Sequence, residues 1–102
     1  MAEPLVTKEY FEDLGTKDSD GYYDYAYRYW VYWFDLDGRK YRARVYTDSP
    51  EEADVMDIDS SRPRQFDADV QVIAEYMHRV AGVKIILALG PGGGFEPFIT
   101  FA

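Results

Sequence analysis

The chain has 102 residues, 47% of them apolar, and a net charge of −8 at neutral pH. This size and composition predict a single globular domain over residues 1–102. The absence of cysteine excludes disulfides, thiolate catalysis and cysteine zinc sites, and the lack of a long apolar run or a signal-like N-terminus predicts a cytoplasmic protein that does not enter a membrane.

The N-terminal segment predicts a short helix from Lys8 to Leu14. Thr7 is a good N-cap residue, and Gly15 is a good residue to end a helix. The polar residues 16–21 that follow are typical of a loop.

An aromatic stretch from Tyr22 to Phe34 holds nine aromatic side chains in thirteen residues. Aromatic residues favour strands, and Asp37-Gly38 is a strong signal for a two-residue hairpin turn. The sequence therefore predicts a hairpin whose second strand runs from Arg39 to about Thr47.

The turn fixes which side chains share a face of this hairpin. Leu36 pairs with Arg39, and the pairing continues from there with alternating sides. The predicted core side carries Trp30, Tyr32, Phe34, Leu36, Tyr41, Ala43 and Val45. The other side pairs Trp33 with Arg42 and Tyr29 with Tyr46, so Tyr29 and Arg44 are expected to be more exposed than Trp30, Tyr32 and Phe34.

Residues 49–65 give weaker signals. Ser49-Pro50-Glu51-Glu52 has the order of a capping box and predicts a short helical turn. The following residues 54–65 have little periodicity, and a connection is expected there, with a short edge strand from Val55 to Ile58.

Apolar residues spaced three and four apart predict a helix from about Phe66 to Ala81, which Gly82 ends. Residues 83–89 and 95–101 then predict a second hairpin around GPGGG at 90–94, with Pro97 tolerable only at an edge or a bulge. The predicted fold class is α+β: an antiparallel sheet of two hairpins in ββαββ order, the main helix on one face, and a short N-terminal helix.

Charge is unevenly distributed along the chain. Residues 28–46 carry a net charge of +3, between residues 1–27 at −5 and residues 47–59 at −6. A basic and aromatic hairpin face is typical of binding surfaces, which are enriched in Tyr, Trp and Arg. The predicted binding residues are Tyr25, Tyr27, Tyr29, Trp33, Lys40, Arg42, Arg44 and Tyr46. The alternative is that the N-terminal helix covers this face and makes it a second core.

The leading functional hypothesis is a small acidic protein-binding module, of the adaptor, immunity or inhibitor type, that uses this face or the acidic segment 48–59. Single-stranded nucleic acid is the second candidate partner, because aromatic rings can stack on bases and the arginines can contact phosphates. A homo-oligomer formed through the aromatic face is a further option. A small-molecule binder or enzyme comes third, since the sequence indicates no catalytic residues, metal ligands or cofactor, and His78 lacks a catalytic partner.

Overall fold

A computed structural model describes residues 5–23, 26–58, 65–89 and 94–101. Its elements are β1 (Leu5–Leu14), β2 (Ala26–Leu36), β3 (Arg39–Tyr46), β4 (Glu52–Asp57), α1 (Phe66–Ala81), β5 (Ile85–Leu89) and β6 (Phe95–Thr100). The strands form one six-stranded sheet in chain order. Neighbours are antiparallel except β4 and β5, which are parallel and are joined through α1. The predicted antiparallel ββαββ sheet is therefore wrong: the fold is mostly sheet, and that sheet is mixed.

The predicted N-terminal helix is also wrong, because residues 5–14 form strand β1. All ten residues of β1 pair with β2, from Leu5 opposite Asp35 to Leu14 opposite Ala26. A helix of two turns has little stability of its own. Pairing with a strand as long as β2 outweighs the local capping signal.

Strand β4 replaces the connection and edge strand that were expected after residue 53. It lies inside the sheet between β3 and β5. Its side chains alternate, with Ala53, Val55 and Asp57 buried and the residues between them half-buried. The predicted helical turn at Ser49 is instead a tight turn, in which the Glu52 N–H donates to the Ser49 carbonyl at 3.1 Å, and Glu52 already belongs to the strand. Residues 59–64 of the expected connection lie outside the described residues.

The β2–β3 hairpin confirms the predicted register over all eight pairs, from Leu36 opposite Arg39 to Tyr29 opposite Tyr46. Asp37 and Gly38 have φ angles of 55° and 90°. A two-residue hairpin turn that matches the twist of its strands requires positive φ at both positions. The Asp35 carboxylate accepts the Gly38 N–H at 2.7 Å, which adds a side-chain brace to the turn.

Helix α1 confirms the predicted helix at both ends. Gly82 follows it in the left-handed conformation, with φ of 72°. Its N–H donates to the His78 carbonyl at 3.2 Å, and the Val83 N–H donates to the Met77 carbonyl at 3.2 Å. The apolar stripe of α1 is buried against one face of the sheet. No helix within the described ranges combines the length and apolarity that crossing a bilayer requires.

The hydrophobic core lies between α1 and the middle of the sheet. Val70, Ile73 and Met77 of the helix are fully buried, and so are Tyr41 and Val55 of the strands. Because this core is built from the odd-numbered residues of β3 and β4, the opposite parity of those strands faces away from α1.

The predicted burial of the β2 core side is only partly correct. Phe34 is 1% exposed and its ring contacts Tyr76 of α1 edge-on, with centroids 5.4 Å apart. Trp30 is 37% exposed, and Tyr32 is half-buried. The prediction of a buried Trp30 is wrong because its ring packs on Tyr10 of β1, with centroids 5.2 Å apart, and not on the helix.

A charged cluster joins the first turn of α1 to the sheet. The buried Asp69 carboxylate accepts hydrogen bonds from Arg39 Nε at 2.7 Å and from the Tyr41 hydroxyl at 2.6 Å. Burial raises the pKa of the Tyr41 hydroxyl, and the adjacent Asp69 charge raises it further. Burial opposes ionisation of Asp69 too, but the hydrogen bonds from Arg39 and Tyr41 outweigh it and lower the pKa of this carboxyl.

Strands β5 and β6 form the predicted second hairpin, although β5 begins only at Ile85. The pairing shifts between Ile86 and Leu87, so that Leu87 lies opposite Pro97. Proline thus occupies an irregular position of the end strand β6, where it interrupts no regular ladder. The turn residues 90–93 lie outside the described residues.

Candidate functional site

The open face is the side of the sheet opposite α1. By the register of the strands it carries Phe11 of β1, Tyr27, Tyr29, Val31 and Trp33 of β2, Lys40, Arg42, Arg44 and Tyr46 of β3, Asp54 and Met56 of β4, and Leu87 of β5. The N-terminal segment lies beside β2 as a strand. It therefore extends this face and does not cover it as the alternative hypothesis expected.

Aromatic rings line one end of the open face in a continuous row. The Phe11 and Tyr29 rings stack with centroids 5.7 Å apart, and the Tyr29 and Tyr46 rings meet edge-on at 5.5 Å. The Tyr27 ring lies 6.0 Å from that of Tyr46 and is half exposed. These contacts restrain the rings against one another, so a partner would meet a preformed aromatic surface.

The two arginines of the open face share one carboxylate. Arg44 contacts Asp54 most closely, with Nη2 and Oδ2 2.8 Å apart, and Arg42 contacts it more loosely, with Nη1 and Oδ1 3.5 Å apart. Arg44 also lies over the Tyr46 and Tyr29 rings, with its Cζ atom 5.1 and 5.8 Å from their centroids. Two cations and one anion leave this cluster with a net charge of about +1.

Arg42 is the less satisfied of the two. Burial lowers the pKa of its guanidinium, whereas the hydrogen bond from Arg44 to Asp54 outweighs burial and raises the pKa of Arg44. The Nη2 group of Arg42 donates to the sulfur of Met56 at 2.8 Å. A thioether is a weak acceptor. Arg42 therefore keeps donor capacity that a carboxylate or carbonyl oxygen of a ligand could use.

Trp33 supplies a second unsatisfied donor beside Arg42. Its Nε1 atom is buried and has no hydrogen-bond acceptor within the described part of the chain. An unpaired buried N–H is costly in a folded protein. Trp33 and Arg42 are directly opposite each other on β2 and β3, and both side chains line the same cavity.

Two shallow cavities, each of about 260 Å³, open on this face. The Trp33 cavity is lined by Phe11, Tyr29, Val31, Trp33, Arg42 and Arg44. The Tyr46 cavity is lined by Tyr27, Tyr46, Glu52 and Leu87, among others, and again by Arg44. Arg44 thus separates two concave regions, one largely aromatic and one bordered by acidic residues.

The predicted binding residues share this face, with two qualifications. Tyr25 lies outside the described residues. Lys40 is exposed, but its Nζ atom pairs with Asp35 at 2.7 Å, at the turn end of the hairpin, and it lines neither cavity. Tyr27, Tyr29, Trp33, Arg42, Arg44 and Tyr46 each line at least one cavity.

The sequence did not reveal three residues that complete the site: Phe11, Asp54 and Met56. The sequence predicts a helix at Phe11, a connection at Asp54 and a short edge strand at Met56. The alternation of Asp54 with the apolar residues Ala53 and Val55 favours a strand with Asp54 on its polar side, but this pattern is too short to identify the strand alone.

The acidic segment 48–59 is only in part an exposed acidic surface, with Asp48, Glu51 and Glu52 exposed. Asp54 pairs with the two arginines, Asp57 is buried on the helix side, and Glu51 pairs with Lys84 at 3.5 Å. Asp59 lies outside the described residues. The segment therefore contributes more to the fold than the sequence hypothesis assumed.

His78 is not on the open face. Its ring stacks on Phe101 at a centroid distance of 4.1 Å, and Nδ1 lies 2.8 Å from the Val83 carbonyl oxygen. These contacts hold the end of α1 to the residue that follows β6, which is a structural role. Within the described ranges, no three acidic or histidine side chains come together as metal ligands would.

Comparison of the chain with protein-family models, with curated proteins and with solved structures found no match.

Proposed function

We propose that the chain is a protein-binding module whose partner docks on the open face. The observation that carries this proposal is Arg42, whose donors are only partly paired, in a cavity that Phe11, Tyr29 and Trp33 wall with aromatic rings. Rigid aromatic side chains beside an arginine are the usual anchors of protein interfaces.

The chemistry of the Trp33 cavity indicates what the partner presents. An apolar side chain would fill the space between Phe11, Tyr29 and Val31, and an adjacent carboxylate or carbonyl oxygen would accept from Arg42. The net charge of this cluster favours one acidic group. The partner we propose is therefore a protein surface with an apolar side chain beside an acidic one.

Charge pairing makes single-stranded nucleic acid the weaker candidate. Every arginine and lysine of β2 and β3 contacts a carboxylate: Arg28 with Glu12, Arg39 with Asp69, Lys40 with Asp35, and Arg42 and Arg44 with Asp54. Phosphates would have to compete with these carboxylates, and the net charge of −8 repels them further.

Capture from a native lysate tests the proposal when three proteins are compared. The Trp33→Ala/Arg44→Ala variant removes the anchors of the open face, and Trp30→Ala is the matched control, because Trp30 is on the same strand with its ring on the other side. We expect the double variant to fail to retain proteins that the wild type and Trp30→Ala both retain. For such a partner, the double variant should bind more weakly by at least about 2 kcal/mol, or roughly thirtyfold in Kd.

Melting temperatures of the three proteins establish that each is folded. Equal retention by the double variant and the wild type would contradict the proposal, as would retention of RNA or DNA in place of protein. A cytoplasmic location is part of the same proposal.

A further inference from the structure

Strand β1 lies at one end of the sheet, and within the described ranges no strand pairs with its outer side. It is ten residues long and most of its side chains are exposed. A long edge strand offers a row of unpaired N–H and C=O groups to another strand.

The hairpin turn determines which backbone groups of β1 point outward. In a two-residue hairpin the residues that flank the turn, here Leu36 and Arg39, are hydrogen-bonded to each other, so the even-numbered residues of β2 bond towards β3. The Thr47 N–H, which donates to the Arg28 carbonyl at 2.9 Å, follows this pattern. The odd-numbered residues of β2 therefore bond towards β1.

The same alternation continues into β1. Val31 lies opposite Glu9, and Trp33 lies opposite Thr7, so the odd-numbered residues of β1 bond towards β2. The N–H and C=O groups of its even-numbered residues point away from the sheet. These outward-pointing residues are Val6, Lys8, Tyr10, Glu12 and Leu14.

Side-chain charge selects one register for pairing between two copies of this edge. In an antiparallel pair centred on Tyr10, Lys8 of each copy lies opposite Glu12 of the other. A pair centred on Glu9, Lys8 or Glu12 would place that residue opposite the same charged residue of the other copy. A pair centred on Phe11 would place Glu9 of each copy opposite Asp13 of the other. Opposite charges across a strand pair are stabilising and like charges are destabilising.

We propose that the chain forms a two-fold dimer through antiparallel pairing of β1 with β1 of a second copy, centred on Tyr10. Even-numbered residues then face even-numbered residues, which is the arrangement that the outward backbone groups require. The Tyr10 side chains are exposed and meet at the two-fold axis. Because this axis is perpendicular to the sheet, both helices lie on one side and both open faces on the other.

The oligomeric state in solution tests this dimer. Sedimentation equilibrium at low ionic strength is measured from low to high micromolar concentration. We expect a dimer for the wild type, and a dissociation constant at least about tenfold higher for Lys8→Glu, which converts two attractive pairs into repulsive ones. The matched control is Lys84→Glu, which changes the same charge beside Glu51, away from the edge.

A variant in which the charges of residues 8 and 12 are exchanged tests whether the charge pairing itself stabilises the dimer. The variant Lys8→Glu/Glu12→Lys has the original complementarity reversed, so the dimer is expected to return. Glu12 also pairs with Arg28 at 3.7 Å, and near-ultraviolet circular dichroism and the melting temperature record the cost of losing this exposed pair separately.

A second pair of variants probes the backbone. Tyr10→Pro removes an outward N–H that makes no bond to β2, whereas Tyr10→Ala removes the same ring and keeps that N–H. We expect Tyr10→Pro to be the weaker dimer. A wild type that stays monomeric over the whole range would overturn the proposal, and so would a dimer that Lys8→Glu leaves unchanged or that the charge exchange does not restore.

Discussion

Asp69 is the charged side chain that fastens α1 to the sheet. Replacement by Asn keeps its size but removes the charge that Arg39 and Tyr41 stabilise, and we expect the free energy of unfolding to fall by about 2–3 kcal/mol at neutral pH. Urea unfolding measures this loss. Asp67→Asn is the control, since Asp67 is an exposed acid in the same turn.

The lowered pKa of Asp69 gives this contribution a pH dependence. A carboxyl group whose folded-state pKa lies below its unfolded value stabilises the fold above the ordinary carboxyl range, near pH 4, and loses that effect as the pH falls through the lowered pKa. The stability of the wild type should therefore decline more steeply in acid than that of Asp69→Asn. Parallel declines would contradict the assignment.

Phe34 and Trp30 lie on the same side of β2 but differ in burial. Phe34→Ala should cost about 3–5 kcal/mol in unfolding free energy, because the ring lies in the core. Trp30→Ala should cost only about 1–2 kcal/mol, since it loses contacts with Tyr10 and Lys8 at the surface. Thermal unfolding of both variants gives the comparison, and equal losses would refute it.

The sequence predicts on which side of a strand each side chain lies, but not how deeply that side chain is buried. The hairpin turn places Trp30, Tyr32 and Phe34 on one side of β2, as the structure has it. Parity does not determine how far along the strand a helix reaches. That limit depends on where α1 crosses the sheet, which local sequence patterns do not encode.

Gly38 shows how much one element depends on backbone conformation. A side chain added there would meet no atom within 4 Å, so any cost of Gly38→Val comes from its φ of 90°. We expect a loss of about 1–3 kcal/mol in unfolding free energy. Gly38→Asn is the control and should lose less, because Asn tolerates positive φ better than a β-branched residue. Similar values for Val and Asn would rule out this explanation.

Elements with local signals were predictable, and elements defined by their neighbours were not. Helix α1 has a complete apolar stripe and a glycine stop, and the β2–β3 hairpin has its own turn. Strands β1 and β4 lack such signals. Each forms because a long neighbouring strand supplies hydrogen bonds, and this long-range pairing outweighs the capping residues near Thr7 and Ser49.

At the scale of the whole molecule, Asp54 partly neutralises the positive charge that Arg42 and Arg44 give to the open face. Asp54→Asn leaves Arg42 and Arg44 without their shared carboxylate and adds a positive charge to the cluster. We expect this variant to retard a labelled single-stranded oligonucleotide more than the wild type does at low salt, with the difference fading as salt rises. Gel shifts measure the effect. Asp48→Asn adds the same charge at the margin of the Tyr46 cavity and is the control; an equal increase would show that only net charge matters.

The residues of the candidate site could be predicted only where they lie on strands that the sequence itself identifies. Alternation along β2 and β3 was enough to bring Tyr29, Trp33, Arg42 and Arg44 to one face. The carboxylate that neutralises the arginines comes from the neighbouring strand β4, and Phe11 comes from β1. Residues contributed by strands whose existence depends on pairing could not be assigned from the sequence.

The overall shape of the molecule is elongated. The molecule measures 53 × 27 × 25 Å, and its radius of gyration of 15.0 Å exceeds the roughly 13 Å that is typical of 100 residues. The elongation agrees with the long strands β1 and β2, since Trp30, on the helix side of β2, is exposed and not covered by α1.

The parallel pairing of β4 with β5 has a consequence for the order of folding. Strands β1 to β4 pair with one another in chain order, through connections that are short compared with the path from Asp57 to Ile85. Closing a longer loop costs more chain entropy, so the ladder between β4 and β5 should form late. The first half of the chain can therefore assemble its part of the sheet early, and the core is completed when α1 folds back and brings β5 alongside β4.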